Sequence, residues 1–447
     1  MEMKAKTLRD SKAARWTVLA VVAFTMFCGY FITDVMAPLM DALKDEFGWT
    51  ATEYGIFNMA YGWLNVFLFM LIISGMILDK FGVKITGVGS CILMIVGCAL
   101  KYYAVSRSFD GEILGLRTQV FIACIGFSIF ALGIETAGIT VTKVIARWFK
   151  GYEVALAMGV QVAVARIGTA LAMAATNPLV KYFKSLSAPI LLGLAALCIG
   201  LLAYLVFCVM DRKLDIFETD VEMEKEDPFC VRDIVSIVRN KGFWLITLLC
   251  VLFYSAVFPF LKYATSLMIN KYHVAPELAG NIPAILPFGT ILLTPLFGGI
   301  YDKKGRGVTI MMIGASMLLF VHLLFAAPLF NEWWFATCLM VILGIAFSLV
   351  PSAMWPSVPK IIPQNKLGTA YALIFWVQNI GLSLVPLLIG WVLDRYCLVV
   401  EGDVTRYDYT LPMLIFACFG IVALIVTVIL KKEDQKQHYG LEEPNLN

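Results

Sequence analysis

Charge is what this chain has least of. Of its 447 residues only 15% are Asp, Glu, Lys or Arg, against roughly a quarter in an average soluble domain. Three histidines occur, at 273, 322 and 438. None stands with cysteines at the spacing of a metal centre, so no metal is expected. No Gly-x-x-x-x-Gly-Lys-Ser/Thr run cradles a triphosphate, which argues against direct ATP coupling. No nucleophile–base constellation is visible, so an enzyme is the least supported reading and no cofactor is expected. The formal net charge of +3 calls for no nucleic-acid partner. No Asn-x-Ser/Thr sequon occurs, which fits a bacterial source. Of the eleven cysteines, Cys28, Cys91, Cys98, Cys124, Cys198, Cys250, Cys338 and Cys418 lie inside apolar runs. There they act as small packers and not as disulfide partners.

What the chain has in excess is apolar length. Hydrophobic residues make up 60% of it and the mean hydropathy is +0.83. They form runs of roughly 18 to 25 residues, each long enough to cross about 30 Å of hydrocarbon as a helix. Twelve spans are expected, near 15–40, 54–78, 85–106, 118–142, 154–176, 188–210, 243–270, 280–301, 308–328, 332–358, 367–393 and 409–430. The one long polar segment, 211–242, carries Glu218, Asp220, Glu222, Glu224, Lys225, Glu226 and Asp227 before Pro228, and reads as a linker between halves. The expected organisation is a tail at 1–14, a six-helix bundle at 15–210, the linker, a second bundle at 243–430 and a tail at 431–447. The polar, basic start leads straight into a full-length span, so it reads as a tail and not as a cleaved signal. With the N-terminus inside, the inner segments hold about 24 of the 35 basic residues, which makes both termini cytoplasmic.

The pattern Gly-x-x-x-Asp-Lys-x-Gly occurs twice. One copy is Gly75, Asp79, Lys80 and Gly82; the other is Gly298, Asp302, Lys303 and Gly305. The copies fall after the second and eighth spans, as a duplicated membrane unit requires. Glycines permit close helix approach. Asp79 or Asp302 can cap a neighbouring helix and pair with a nearby Lys or Arg, so the two loops are candidate elements of a cytoplasmic gate. In this signature the chain resembles the major facilitator superfamily from Arg15 to Leu430. The resemblance implies an all-α membrane protein of twelve transmembrane helices in two pseudo-symmetric six-helix bundles, working by alternating access.

Ionisable groups at membrane depth are costly, so each one marks a candidate site. Glu135 lies 12 residues before Arg147 and Arg166 lies 13 residues after Glu153. At about 1.5 Å per residue both sit roughly 18–20 Å deep, on spans that a short loop makes antiparallel neighbours. A structural ion pair is one reading. The other is a pair of poles for a zwitterion, with Glu135 taking an ammonium and Arg166 a carboxylate through its planar fork. Tyr30, Tyr61, Asn65, Gln161, His322, Trp376, Gln378 and Asn379 fall at similar depth; of these, the adjacent amides Gln378 and Asn379 are the least suited to face lipid. Asp34 and Lys262, about 20 residues into the first and seventh spans, form a possible outer gate, although snorkelling explains each of them as well.

Further segments narrow the resemblance. Trp148-Phe149-Lys150-Gly151, Ala165-Arg166-Ile167-Gly168, Ala256-Val257-Phe258-Pro259-Phe260, Leu367-Gly368-Thr369-Ala370-Tyr371 and Gln378-Asn379-Ile380-Gly381-Leu382 are similar to the branch that includes a lysosomal dipeptide transporter. That branch implies pocket roles for Glu135 and Arg166 on the termini of a dipeptide. The chain departs from the branch at Lys262, and neither tail carries an acidic-dileucine sorting signal, so a bacterial inner membrane is expected. The alternatives are an organic-anion or other metabolite carrier of the same fold, and a transporter-like sensor or assembly subunit without flux. The expected partners are a small zwitterion and the lipid bilayer.

Overall fold

The computed structural model describes residues 8–150, 152–218, 231–363, 366–401 and 404–445. The acidic run from Asp220 to Asp227 and the first seven residues lie outside these. In chain order the helices are α1 (Lys12–Asp34), α2 (Met40–Phe47), α3 (Ala51–Met59), α4 (Gly62–Asn65), α5 (Met70–Val105), α6 (Thr118–Trp148), α7 (Val154–Phe183) and α8 (Ala188–Glu218). There follow α9 (Val231–Val238), α10 (Lys241–Asn270), α11 (Pro276–Ala279), α12 (Asn281–Lys304), α13 (Gly307–Ala326), α14 (Trp333–Ile361), α15 (Leu367–Tyr396) and α16 (Thr410–Gln437). Two short antiparallel hairpins, β1 (Glu112–Ile113) with β2 (Leu116–Arg117) and β3 (Leu398–Glu401) with β4 (Val404–Tyr407), are the strands among the described residues. Helix dominates because a chain in hydrocarbon has to satisfy its backbone polar groups internally.

Among the described residues eleven helical stretches are long and apolar enough to span a bilayer. The expected second span, 54–78, differs, being assembled from α3, α4 and the start of α5. Phe69 takes a left-handed conformation (φ 52°) ahead of α5, and Gly82 (φ 74°, ψ 175°) interrupts that helix. The breaks fall on either side of α4, at residues 60–61 and 66–69. Side chains take up the freed carbonyls. Ser128 Oγ donates to Ala60 O at 2.7 Å, and Asn65 Nδ2 donates to Tyr61 O at 3.4 Å.

Contacts group the chain into two compact units. The first holds Met1–Met36, Ala60–Ala172 and Leu179–Lys225; the second holds Ala37–Met59, Met173–Pro178 and Glu226–Asn447. In the first unit α6 packs along α5 and α1, and α8 covers α1 and α5. Two buried charges tie these helices together. Lys101 on α5 is fully buried, donates from Nζ to Ile32 O at 2.8 Å and lies 4.6 Å from the Phe127 ring centroid. Asp211 on α8, also fully buried, accepts from Trp148 Nε1 at 2.9 Å and pairs with Arg147 at 3.2 Å and Lys84 at 3.9 Å.

In the second unit α10 is the hub, touching α14, α15 and α16, while α12 and α13 pack on α14. The short α3 lies on α15, where Tyr263 Oη donates to Pro386 O at 2.6 Å beside Gly55 and Gly390. A Cβ at Gly390 would collide with Ala51 O, so glycine is what lets the two backbones touch. Asp394 then caps α3 from outside that helix, accepting from Ala51 N at 3.0 Å, Thr52 N at 2.6 Å and Tyr407 Oη at 3.2 Å. His322 is fully buried with Nε2 3.0 Å from Ala256 O, between the rings of Phe260 and Phe416.

Candidate functional site

Within the first unit the break in the second span delivers Tyr61 to α6. Its Oη donates to Glu135 Oε1 at 2.6 Å, a short contact typical of a hydroxyl on a carboxylate. The Tyr61 ring stands edge-on to Phe127 at 5.5 Å, which fixes the phenol from behind. Arg166 on α7 places its guanidinium carbon 6.0 Å from the Tyr30 ring centroid on α1. Tyr30 is within electrostatic reach of Arg166, Glu135 and Asp34, and Tyr61 of Glu135, Tyr30 and Asp34. Four helical segments thus bring Tyr30, Asp34, Tyr61, Glu135 and Arg166 into one cluster, and each of these side chains is partly exposed. Asn65, four residues after Tyr61 on α4, is 3% exposed, with Oδ1 buried and lacking a hydrogen-bond partner. A buried acceptor left open in this way invites a donor from a bound molecule.

An acid with one carboxylate oxygen engaged by a phenol keeps its second oxygen for a cation. The Arg166 guanidinium beside the Tyr30 ring is the positive group of the cluster. The cluster therefore holds two carboxylates, Glu135 and Asp34, and one guanidinium, together with hydrogen-bonding groups. Asp34, expected at an outer gate, is the last residue of α1 and belongs to this electrostatic cluster. Lys262 lies in α10 of the second unit, where its main-chain carbonyl accepts from Tyr54 Oη at 3.0 Å.

The other expected residues of the second unit line α15. Gln378 and Asn379 are 7% and 9% exposed, so neither amide faces lipid. Gln378 Oε1 accepts from Cys250 Sγ at 3.2 Å, and Asn379 Nδ2 donates back to Phe375 O at 3.0 Å. Trp376 is partly exposed. Near them Trp355 stacks on Phe375 at 4.9 Å and donates from Nε1 to Tyr254 Oη at 3.0 Å.

The two repeated loops have different surroundings. In the first, Asp79 is 74% exposed and pairs with Lys143 at 2.6 Å, while Lys80 lies over the Phe81 ring at 5.4 Å. Added Cβ atoms at Gly75 and Gly298 would meet nothing within 4 Å, so neither glycine supports a close helix approach here. In the second loop Lys303 is exposed, and Asp302 accepts from Asn445 Nδ2 at 2.8 Å. Sequence reasoning missed Lys101, Asp211 and Asp394. Lys101 carried a signal, a lysine inside an apolar run; the partners of the other two are remote in sequence.

Comparison with known proteins places this geometry in context. The family model described as Major Facilitator Superfamily matches residues 20–386. The lysosomal dipeptide transporter MFSD1 of Mus musculus is 27% identical over 397 residues, covering 86% of this chain and 81% of that protein. Its counterpart in Homo sapiens is 26% identical, covering 93% and 86%. Among solved structures, the nucleoside transporter NupG aligns with a TM-score of 0.71 at 15% identity, covering 94% of this chain and 99% of that one.

Proposed function

This chain belongs to the Major Facilitator Superfamily and is a multi-pass membrane transporter, and from that premise we propose that its cargo is a dipeptide, carried by alternating access. The observation that carries this reading is the Tyr61–Glu135 contact in one cluster with Arg166. A dipeptide is a zwitterion with a polar amide between its poles. Glu135 takes the ammonium on its free oxygen, Arg166 takes the terminal carboxylate, and the unpartnered Asn65 Oδ1 takes the peptide N–H. Groups of both signs suit a zwitterion, whereas a dianion would be repelled by Glu135 and Asp34. The names of the relatives point to the same cargo class.

The mechanism follows from the cost of charge in the membrane. Each pole of the cargo sheds water on entry, and the opposite pole of the protein replaces that water with a charge-assisted hydrogen bond. Tyr61 holds the carboxylate in place and sits on the broken stretch of the second span, so a movement of that stretch alters the grip on the ammonium. Glu135→Gln removes the negative pole, and Arg166→Lys replaces a planar fork by a point charge. The test is uptake of a radiolabelled dipeptide into proteoliposomes, run with and without a pH gradient to separate uniport from proton coupling. Uptake of free amino acids or dicarboxylates with no uptake of dipeptides sinks the assignment. We place the protein in a bacterial plasma membrane with both termini cytoplasmic. Reporter fusions at each end, expressed in a bacterial host, test that topology.

A further inference from the structure

The last described residues, expected as a plain tail, are docked. After α16 the chain turns at His438 (φ 56°) and Gly440 (φ 76°) and runs across the second repeated loop. Leu441 is fully buried; its N–H donates to Asp434 Oδ1 at 3.0 Å and its carbonyl accepts from Gly307 N at 3.0 Å. Glu442 O accepts from Arg306 N at 2.8 Å. The Glu442 carboxylate accepts from both Thr309 N and Thr309 Oγ1 at 3.0 Å, with Lys431 Nζ 3.7 Å away. Lys360 Nζ donates to Gly440 O at 2.9 Å and to Glu443 O at 2.8 Å. Asn445 closes the far end, donating from N to Asp302 O at 3.0 Å and from Nδ2 to Asp302 Oδ1 at 2.8 Å.

The cleft is built for an acidic segment that turns over 440–443, where Glu443 N donates to Gly440 O at 3.2 Å. The first N–H groups of α13 have no partner inside their own helix, and the helix dipole there favours an anion. Residues 440–445 supply carbonyls and a carboxylate to those donors and to Lys360. Gly305 sits at φ 66° and ψ −137°, and a Cβ there would collide with Glu442 O and Pro444 N. Its counterpart Gly82 also has positive φ, yet an added Cβ there would meet nothing within 4 Å. The glycine of the second loop therefore gives room to the tail as well as turning the chain.

We propose that residues 438–445 are a regulatory strap, an intramolecular ligand that holds the loop after the eighth span shut and whose release raises turnover. The strap ties the ends of α12, α13 and α14 to α16, so that loop cannot rearrange until the strap lifts. Its tether keeps the local concentration near the millimolar range, so modest contacts suffice to hold it.

The test uses a fluorescent synthetic peptide of residues 438–445 and a chain truncated after Gln437. The peptide should bind the truncated chain saturably and fail to bind the full chain, whose cleft is filled. A Glu442→Ala peptide should bind at least about tenfold more weakly, as loss of a charge-assisted cluster implies. In the full chain, amides of Gly307, Thr309 and Leu441 should exchange slowly, and Glu442→Ala should release them and raise transport turnover. Absent binding to the truncated chain, equal binding to both chains, or fast exchange at those amides in the full chain overturns the strap. Unchanged turnover after release overturns its regulatory role. If the parent protein moves no dipeptide, the cargo reading fails, while binding and exchange still decide the strap on their own.

Discussion

Replacing Asp394 tests how the first half of the second span is anchored. The carboxylate receives two backbone N–H groups at the start of α3 and the Tyr407 hydroxyl. Hydrogen bonds to a charged group are worth about 1.5–3 kcal/mol each when removed singly, and a lost helix cap costs about 1 kcal/mol. These terms overlap, because the same two N–H groups are counted in both. Solvent also reaches this partly exposed site and satisfies part of what is lost. A net cost of about 2 kcal/mol to the docking of α3 on α15 is therefore expected for Asp394→Ala, equal to about a 30-fold shift in local opening. Asp394→Asn keeps one acceptor oxygen and should cost about half as much. Hydrogen exchange followed by mass spectrometry reads this at residues 51–54, with the buried amides of α10 as the internal reference. Exchange at Ala51 and Thr52 that stays at the parent rate in Asp394→Ala would refute the anchoring argument.

Two further outcomes follow from buried groups. Asp211→Ala removes a buried carboxylate partner of Arg147 and the acceptor of Trp148 Nε1. It should destabilise the first unit by about 3 kcal/mol, seen as a Tm several degrees lower in detergent, with Asp211→Asn intermediate because its amide oxygen still accepts from Trp148. Cys397, just beyond α15, has its thiol pushed up to about 11 by burial and by Asp408. Because the thiolate is the form that reacts, maleimide labelling at this site should be negligible at pH 7 and climb about tenfold per pH unit toward pH 10. Rapid labelling of Cys397 at pH 7, located by peptide mass spectrometry, would contradict that environment.

The sequence carried the long spans because their signal, apolar length, is local, and Glu135 and Arg166 stand out in it as charges set against that length. Tyr61 was one of several polar residues at the same depth, and only the break at 60–69 explains why it reaches Glu135. That break was hidden, since apolar composition continues through it and hydropathy does not register backbone direction. Asp394 fell at the edge of its span, and its value depends on N–H groups more than 340 residues away. The strap was least legible. Glu442 and Asn445 read as an ordinary polar end, and their partners lie on a loop whose near-identical twin at Asp79 is left uncovered.

The most direct test of the central claim is initial-rate dipeptide uptake by proteoliposomes holding the parent chain, Glu135→Gln, Arg166→Lys or Tyr61→Phe at matched protein content. The account predicts saturable uptake by the parent. It predicts near-complete loss in Glu135→Gln and Arg166→Lys, and in Tyr61→Phe a higher KM with a smaller change in kcat, because a hydroxyl that only positions the carboxylate is removed. Parental uptake in Glu135→Gln and Arg166→Lys, with all proteins folded, would contradict it.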